Sequence, residues 1–170
     1  MKLPTKIQRI ATVALFAAAS LLPAAAQAEG RGQKTFGIYG GYNTRNESAL
    51  AGVRFTYRFA EHLRLAPSID YTFRNNGNDA YNLSLDCHVP FALSPSGRLN
   101  VYPLAGIGYS EWSRPSQTDD RERTGRLGLN VGGGVECFVT PTLRLAAEGA
   151  WRWRKDFPAG AITMSIAYVF

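Results

Sequence analysis

The chain has 170 residues, a formal net charge of +6, 45% hydrophobic residues and two cysteines. Apart from its first 28 residues, no segment approaches the ~18 or more consecutive apolar residues of a membrane helix, which excludes a helical membrane protein. Much of the basic excess is local: without Lys2, Lys6 and Arg9 the net falls to +3, and a nucleic-acid partner loses its main warrant.

Those three residues precede an apolar stretch from Ile10 to Leu22, and Ala26-Gln27-Ala28 has the A-x-A form of a cleavage site. Residues 1–28 are therefore expected to be a cleaved signal peptide, and 29–170 one domain. The apolar run is too short to be an ordinary spanning helix of about 20 residues.

From there on the chain alternates with a period of two, punctuated by Gly, Pro, Asn and Asp clusters. The pattern predicts an all-β domain of eight strands, at 34–43, 49–60, 62–74, 80–91, 98–112, 124–139, 142–154 and 160–170. Connections at Asn43–Ser48, Asn75–Asp79, Ser113–Arg123 and Lys155–Ala159 read as polar and mostly longer. Those at Ala60-Glu61, Ala92–Gly97 and Thr140-Pro141 read as shorter or turn-like. This is the alternation of loops and turns expected of an up-and-down membrane barrel.

One face of these strands is apolar, with residues such as Ile38, Val53, Leu65, Leu83, Ile107, Leu129 and Leu145. The other carries Arg54, Arg58, Arg64, Asp70, Arg74, Asp86, His88, Arg126, Glu136, Arg144, Glu148, Arg152 and Arg154. Periodicity gives faces, not directions, so a soluble barrel with the apolar face inward is the alternative. Two features favour the membrane arrangement. Aromatics gather at the strand ends, with Tyr42, Tyr71, Phe73, Tyr81, Tyr109, Trp151 and Trp153 at one end. Phe36, Tyr57, Phe59, Phe91, Tyr168 and Phe170 lie at the other, as in interfacial belts. The charged face is also rich in Gly and Ala, which leaves room for long Arg side chains and for Tyr39 and Tyr102 in a narrow lumen.

An eight-stranded barrel is just wide enough for its interior to be filled by side chains. Buried charges must then pair. Placing a turn at Thr140 sets Glu136 opposite Arg144, and Arg58 should face Arg64 across Ala60-Glu61. A filled interior favours a structural charge network over an ion path, which excess Arg would bias toward anions. Catalysis finds little support. Ser84, Asp86 and His88 share the inward face, but residues two apart on a strand are nearly 7 Å apart, too far for a serine–histidine hydrogen bond. Small outer-membrane deacylases use a His-x-Ser pair, and neither His62 nor His88 is followed by Ser two residues on. Metal-ligand spacing and cofactor motifs are absent from the sequence.

Cys87 and Cys137 fall on the lipid-facing parity of the fourth and sixth strands. Two strand spacings of about 4.8 Å separate them by about 10 Å, beyond the ~7 Å reach of a disulfide, so both are expected to be free. The expected loop Ser113–Arg123 offers Arg114, Arg121 and Arg123 as candidate contacts to lipopolysaccharide phosphates or a host surface.

The last strand places Ile162, Met164, Ile166, Tyr168 and Phe170 on one face and ends on the aromatic residue. It resembles the C-terminal signature strand of bacterial outer-membrane barrels, in which Ile166, Tyr168 and Phe170 would be read by the barrel-assembly machinery. Together with the signal and the eight strands, it makes the chain similar to the small outer-membrane β-barrel superfamily of OmpA-type barrels, OmpX-like proteins and opacity proteins. The resemblance implies a bacterial outer-membrane location with both mature termini in the periplasm. It also implies outer-membrane lipids and lipopolysaccharide as surroundings, periplasmic chaperones during biogenesis, a monomer, and no cofactor. With no peptidoglycan-binding domain after the barrel, wall anchoring is not implied. A non-catalytic structural or surface role comes first, a narrow porin-like channel second, and adhesion third.

Overall fold

The computed structural model describes residues 31–115 and 121–170. The expected signal peptide, 1–28, and residues 116–120 of the expected long loop lie outside them. The described residues form β1 (Lys34–Asn43), β2 (Ser48–Ala60), β3 (Leu63–Asn75), β4 (Asn78–His88), β5 (Phe91–Ala92), β6 (Leu99–Pro115), β7 (Arg121–Thr140), β8 (Leu143–Arg154) and β9 (Ala159–Val169).

Each long strand pairs antiparallel with its neighbours in the chain, and β4 joins β6 with β5 as a two-residue flap on the β6 edge. The ring closes where β1 meets β9, in a register of Phe36↔Tyr168 and Tyr39↔Ser165. Lys34 and Phe170 exchange backbone hydrogen bonds at the end of that seam, of 3.1 and 2.9 Å. The eight long strands thus make a closed barrel. Its base carries the start of β1, the end of β9, the turns at 61–62 and 141–142, and the segment 89–98. Its rim carries 44–47, 76–77, 155–158 and the β6–β7 hairpin.

Burial settles the direction of the two faces. Arg64 and Glu136 are 2% and 1% exposed, whereas Leu127 and Met164 are both 73% exposed. Soluble proteins almost never bury such charges while displaying a continuous apolar surface. The apolar face therefore points outward, which is the arrangement of a membrane barrel. Tyr42, Phe73, Tyr81, Tyr109, Trp151 and Trp153 ring the outside near the rim, and Tyr57, Phe91 and Tyr168 near the base.

Several boundaries differ from the sequence pattern. β4 ends at His88 instead of running to 91, because Pro90 has no N–H for the ladder, and the chain re-enters the sheet only at Phe91. Asn76 and Gly77 both have positive φ (48° and 81°), so a tight two-residue turn of the hairpin type stands where a loop was expected. The ten-residue segment 89–98 at the base is longer than this rim turn, and the expected contrast of long and short connections does not hold. The expected loop Ser113–Arg123 is mostly sheet as well, with Ser113↔Arg123, Arg114↔Glu122 and Pro115↔Arg121 continuing the β6–β7 ladder. A two-stranded ribbon above the barrel can be wet on both faces, so its polar sequence does not end the pairing.

Cys87 and Cys137 are both free. Their partners on β6, Ala105 and Leu99, are six positions apart, so they are offset by about 20 Å along the strands as well as by two strand spacings.

Candidate functional site

The lumen gathers the charged residues into linked groups stacked from base to rim. Nearest the base, Arg64 on β3 reaches across to Glu136 on β7, with contacts of 3.1 Å to Oε1 and 2.9 Å to Oε2. Arg144 on β8 meets the same carboxylate at 3.3 Å and donates to the Thr35 hydroxyl at 2.9 Å. The Glu136–Arg144 pair thus meets, but diagonally. A register shift after Phe138 sets Arg144 opposite Phe138 and Glu136 opposite Ala146, and the long arginine spans the difference. Arg58 does stand opposite Arg64, and both interact electrostatically with Glu136, which relieves their repulsion.

Above this group, Arg54 on β2 donates two hydrogen bonds of 2.6 and 2.7 Å to Glu148 on β8, which also accepts one from Tyr102 at 3.1 Å. Arg152 on β8 grips Asp70 on β3 with bonds of 3.1 and 2.8 Å. Tyr39 and Asn82 complete the Asp70 shell at 2.9 and 2.7 Å. Asn82 stands directly opposite Asp70 on the neighbouring β4, but the other partners sit on strands that are not hydrogen-bonded to each other. The pairs are struts across the interior, and two-pronged arginine–carboxylate bonds fix distance and orientation together.

His88 stacks on Tyr102, with ring centroids 4.7 Å apart at 12°, and its Nδ1 lies 3.3 Å from Arg64 Nη2. A guanidinium can only donate, so Nδ1 accepts and the ring proton sits on Nε2. Asp86 and Ser84 take the Asn130 side-chain amide at 2.8 and 3.1 Å, and Arg154 donates to the oxygen of that amide at 2.8 Å. Ser84 and Asp86 therefore share the Asn130 amide, while His88 is engaged with Arg64 and Tyr102. Asn82, Asn100 and Asn130, all buried in this network, were legible from inward parity alone.

Two residues expected in the lumen are not there. Arg74 lies at the rim with its side chain 53% exposed, beside Asp79 at 3.2 Å, because the register shifts between Thr72 and Asn75. Arg126 is also at the rim, paired at 3.1 Å with Asp156 of the 155–158 connection. Of the candidate surface residues, Arg123 is exposed and lies 3.6 Å from Glu111, and Arg114 sits over the Phe157 ring at 4.5 Å. The Arg121 backbone pairs with Pro115. Ile166 and Tyr168 point outward, and the Phe170 ring lies 6.3 Å from Tyr168 and 6.5 Å from Phe55.

The rim closes differently. Trp112 stacks on Phe157 at 5.7 Å, packed with Ala80, and Arg45 lies over both rings at 5.9 and 5.3 Å. Asn46 ties the neighbouring backbones together, donating to Phe73 and Asn78 carbonyls at 2.9 Å each. Nothing in the sequence singles out Phe157, which falls in a polar connection.

The cavity at the heart of the base group is small. It measures about 10 Å³ and lies among Arg54, Arg64, His88, Tyr102 and Arg144. That is near the lower limit for holding a single water molecule, about 10–15 Å³. Among the described residues, no three His, Cys, Asp or Glu side chains are grouped to hold a metal ion.

The family model described as outer membrane protein beta-barrel domain matches residues 11–170. No curated protein matches significantly. Solved structures do. The N-terminal β-barrel domain of Pseudomonas aeruginosa OprF aligns with a TM-score of 0.71 at 18% identity, covering 83% of this chain and 99% of that one. Ail, the attachment invasion locus protein of Yersinia pestis, aligns at 0.62 and 17% identity, covering 82% and 99%. Neisserial surface protein A aligns at 0.63 and 16% identity, covering 80% and 94%. At these identities the likeness establishes the fold.

Proposed function

This chain belongs to the outer membrane protein β-barrel domain family, and from that premise we propose that it is a structural and surface protein of the bacterial outer membrane with no catalytic activity. The observation that carries this reading is the strutted lumen. Arg54–Glu148, Arg64–Glu136 and Arg152–Asp70 cross the interior, and the cavity beside Arg54 and Arg64 measures only about 10 Å³. An interior filled in this way supports a plug rather than a conducting pore. The test is planar-bilayer recording of the refolded protein, with no stable conductance steps expected. Ohmic steps that disappear when lumen arginines are neutralised would establish the narrow channel instead.

In this reading the base faces the periplasm, where a chain secreted by its signal peptide begins, and the rim faces outward. The barrel works as a monomer. Chaperones and the barrel-assembly machinery deliver it through the outward face of β9, with Ile166, Tyr168 and Phe170 as the recognised residues. Deleting Phe170 removes its two backbone bonds to Lys34 and its contacts with Tyr168 and Phe55. A sharp fall in heat-modifiable barrel recovered from cells is expected. Unchanged yield would refute the signal.

A second reading concerns the rim. The β6–β7 ribbon continues through Pro115↔Arg121 and carries Arg114 and Arg123 outward on paired backbone. Guanidinium groups on a firm support suit phosphate or sulfate. Ail has been solved in complex with the heparin analogue sucrose octasulfate, which supports a polyanion, such as lipopolysaccharide, as the partner here. Retention on immobilised heparin should fall on combining Arg114→Gln, Arg121→Gln and Arg123→Gln. Unchanged retention would remove this reading.

A further inference from the structure

We propose that the base half of the lumen binds one small monovalent inorganic anion, of halide size, in the cavity between Arg54, Arg64, His88, Tyr102 and Arg144. Charge is the first argument. Arg54, Arg58, Arg64 and Arg144 share this region with two carboxylates, Glu136 and Glu148, and all six side chains are largely buried. Arginine does not shed its proton, so the region carries an excess of positive charge behind a lipid-facing wall. Uncompensated buried charge is costly, and an anion offsets it.

The second argument is the kind of group left over. Arg54 Nε, Arg64 Nε and His88 Nε2 are shielded and have no hydrogen-bond partner among the described residues. All three are donors, since the Arg64 contact at His88 Nδ1 places the ring proton on Nε2. The carboxylates, by contrast, are both paired with arginine, although Glu136 Oε2 has ion-pair contacts only and no aligned hydrogen bond. Glu148 accepts from Arg54 and Tyr102, and Glu136 is held by Arg64 and Arg144. A cavity lined by surplus donors selects an acceptor without protons of its own.

Size is the third. About 10 Å³ admits one water-sized sphere. A halide is slightly larger than water and requires the lining side chains to shift a little, while sulfate, phosphate and organic anions are too large. Gly37, Ala146, Ser165 and Ala167 line the rest of the cavity and leave it narrow.

The site rests on the closed lumen of the preceding section, yet the two fail separately. Conductance would remove the plug and leave a crystallographic anion in place. The experiment is crystallisation of the refolded barrel in sodium bromide, with thermal unfolding in detergent followed against bromide, chloride and gluconate at constant ionic strength. Expected are an anomalous bromide peak within contact of His88 Nε2 and a saturable rise in midpoint with bromide and chloride but not gluconate. His88→Phe keeps the stacking on Tyr102 and removes the donor, and should raise the half-saturating bromide concentration about tenfold. The wild-type anomalous map needs no variant to fold. A map with no peak in the cavity, a water only, or a midpoint that responds equally to gluconate would overturn the proposal.

Discussion

The base and the rim of this barrel fill the same lumen with opposite materials: charged struts below, and a stacked tryptophan and phenylalanine above. At the base, Arg64 and Arg144 converge on one carboxylate, and every participant sits on a strand at an inward position. At the rim, Trp112 comes from a strand, but Phe157, Arg45 and Asn46 come from the connections between strands. The base therefore couples the walls of the barrel to each other, whereas the rim couples the connections to the walls. Losses at the base leave buried charge stranded. Losses at the rim can be repaired by solvent.

That contrast predicts a ranking of variants. Glu136→Gln should be the most damaging, because three arginines lose their shared counter-charge. About 3–5 kcal/mol is expected from urea unfolding in detergent. Adding Arg144→Met should recover part of the loss, and strictly additive effects would mean that the two groups do not act as a unit. Phe157→Ala should cost about 2 kcal/mol, less than the ~3–5 of an aromatic removed from a sealed core, because water can enter at the rim. It should also raise acrylamide quenching through Trp112. An equal or larger loss than at Glu136 would reverse the comparison.

Asn46→Ala removes bonds to Ser48, Phe73 and Asn78 and should cost about 1–2 kcal/mol. Faster hydrogen exchange confined to the 44–47 and 76–77 connections would locate the effect at the rim. The smallest change is expected for Arg126→Gln, whose pair with Asp156 is solvent-screened, within about 1 kcal/mol and smaller still at high salt. A large effect there would show that the rim, too, depends on charge.

The same contrast explains what could be read from the sequence. Strands impose a period of two, so the eight segments, the two faces and the charged interior were all visible as alternation. Contacts between hairpin neighbours were visible too, including Glu136 with Arg144, although the register shift after Phe138 altered the geometry. The struts were not. Arg54 and Glu148 are brought together by the closing and tilt of the whole ring, which no local pattern encodes. Arg126 kept the inward parity but lay beyond the level at which inward means buried, and Arg74 follows a register shift that alternation does not report. Connections have no period, so Phe157 and Asn46 gave no signal. The β6–β7 ribbon was hidden because charged residues on paired backbone look like a loop.

The β1–β9 seam has a consequence for how the barrel is made. Its two strands come from opposite ends of the domain, so their pairing carries the largest loop-closure entropy in the molecule and should form last. Before then, β1 and β9 are open edges with unpaired backbone groups, ready to add a strand from another chain. An open sheet of the eight long strands is aggregation-prone, and the closing of this seam converts it into an object with no edge.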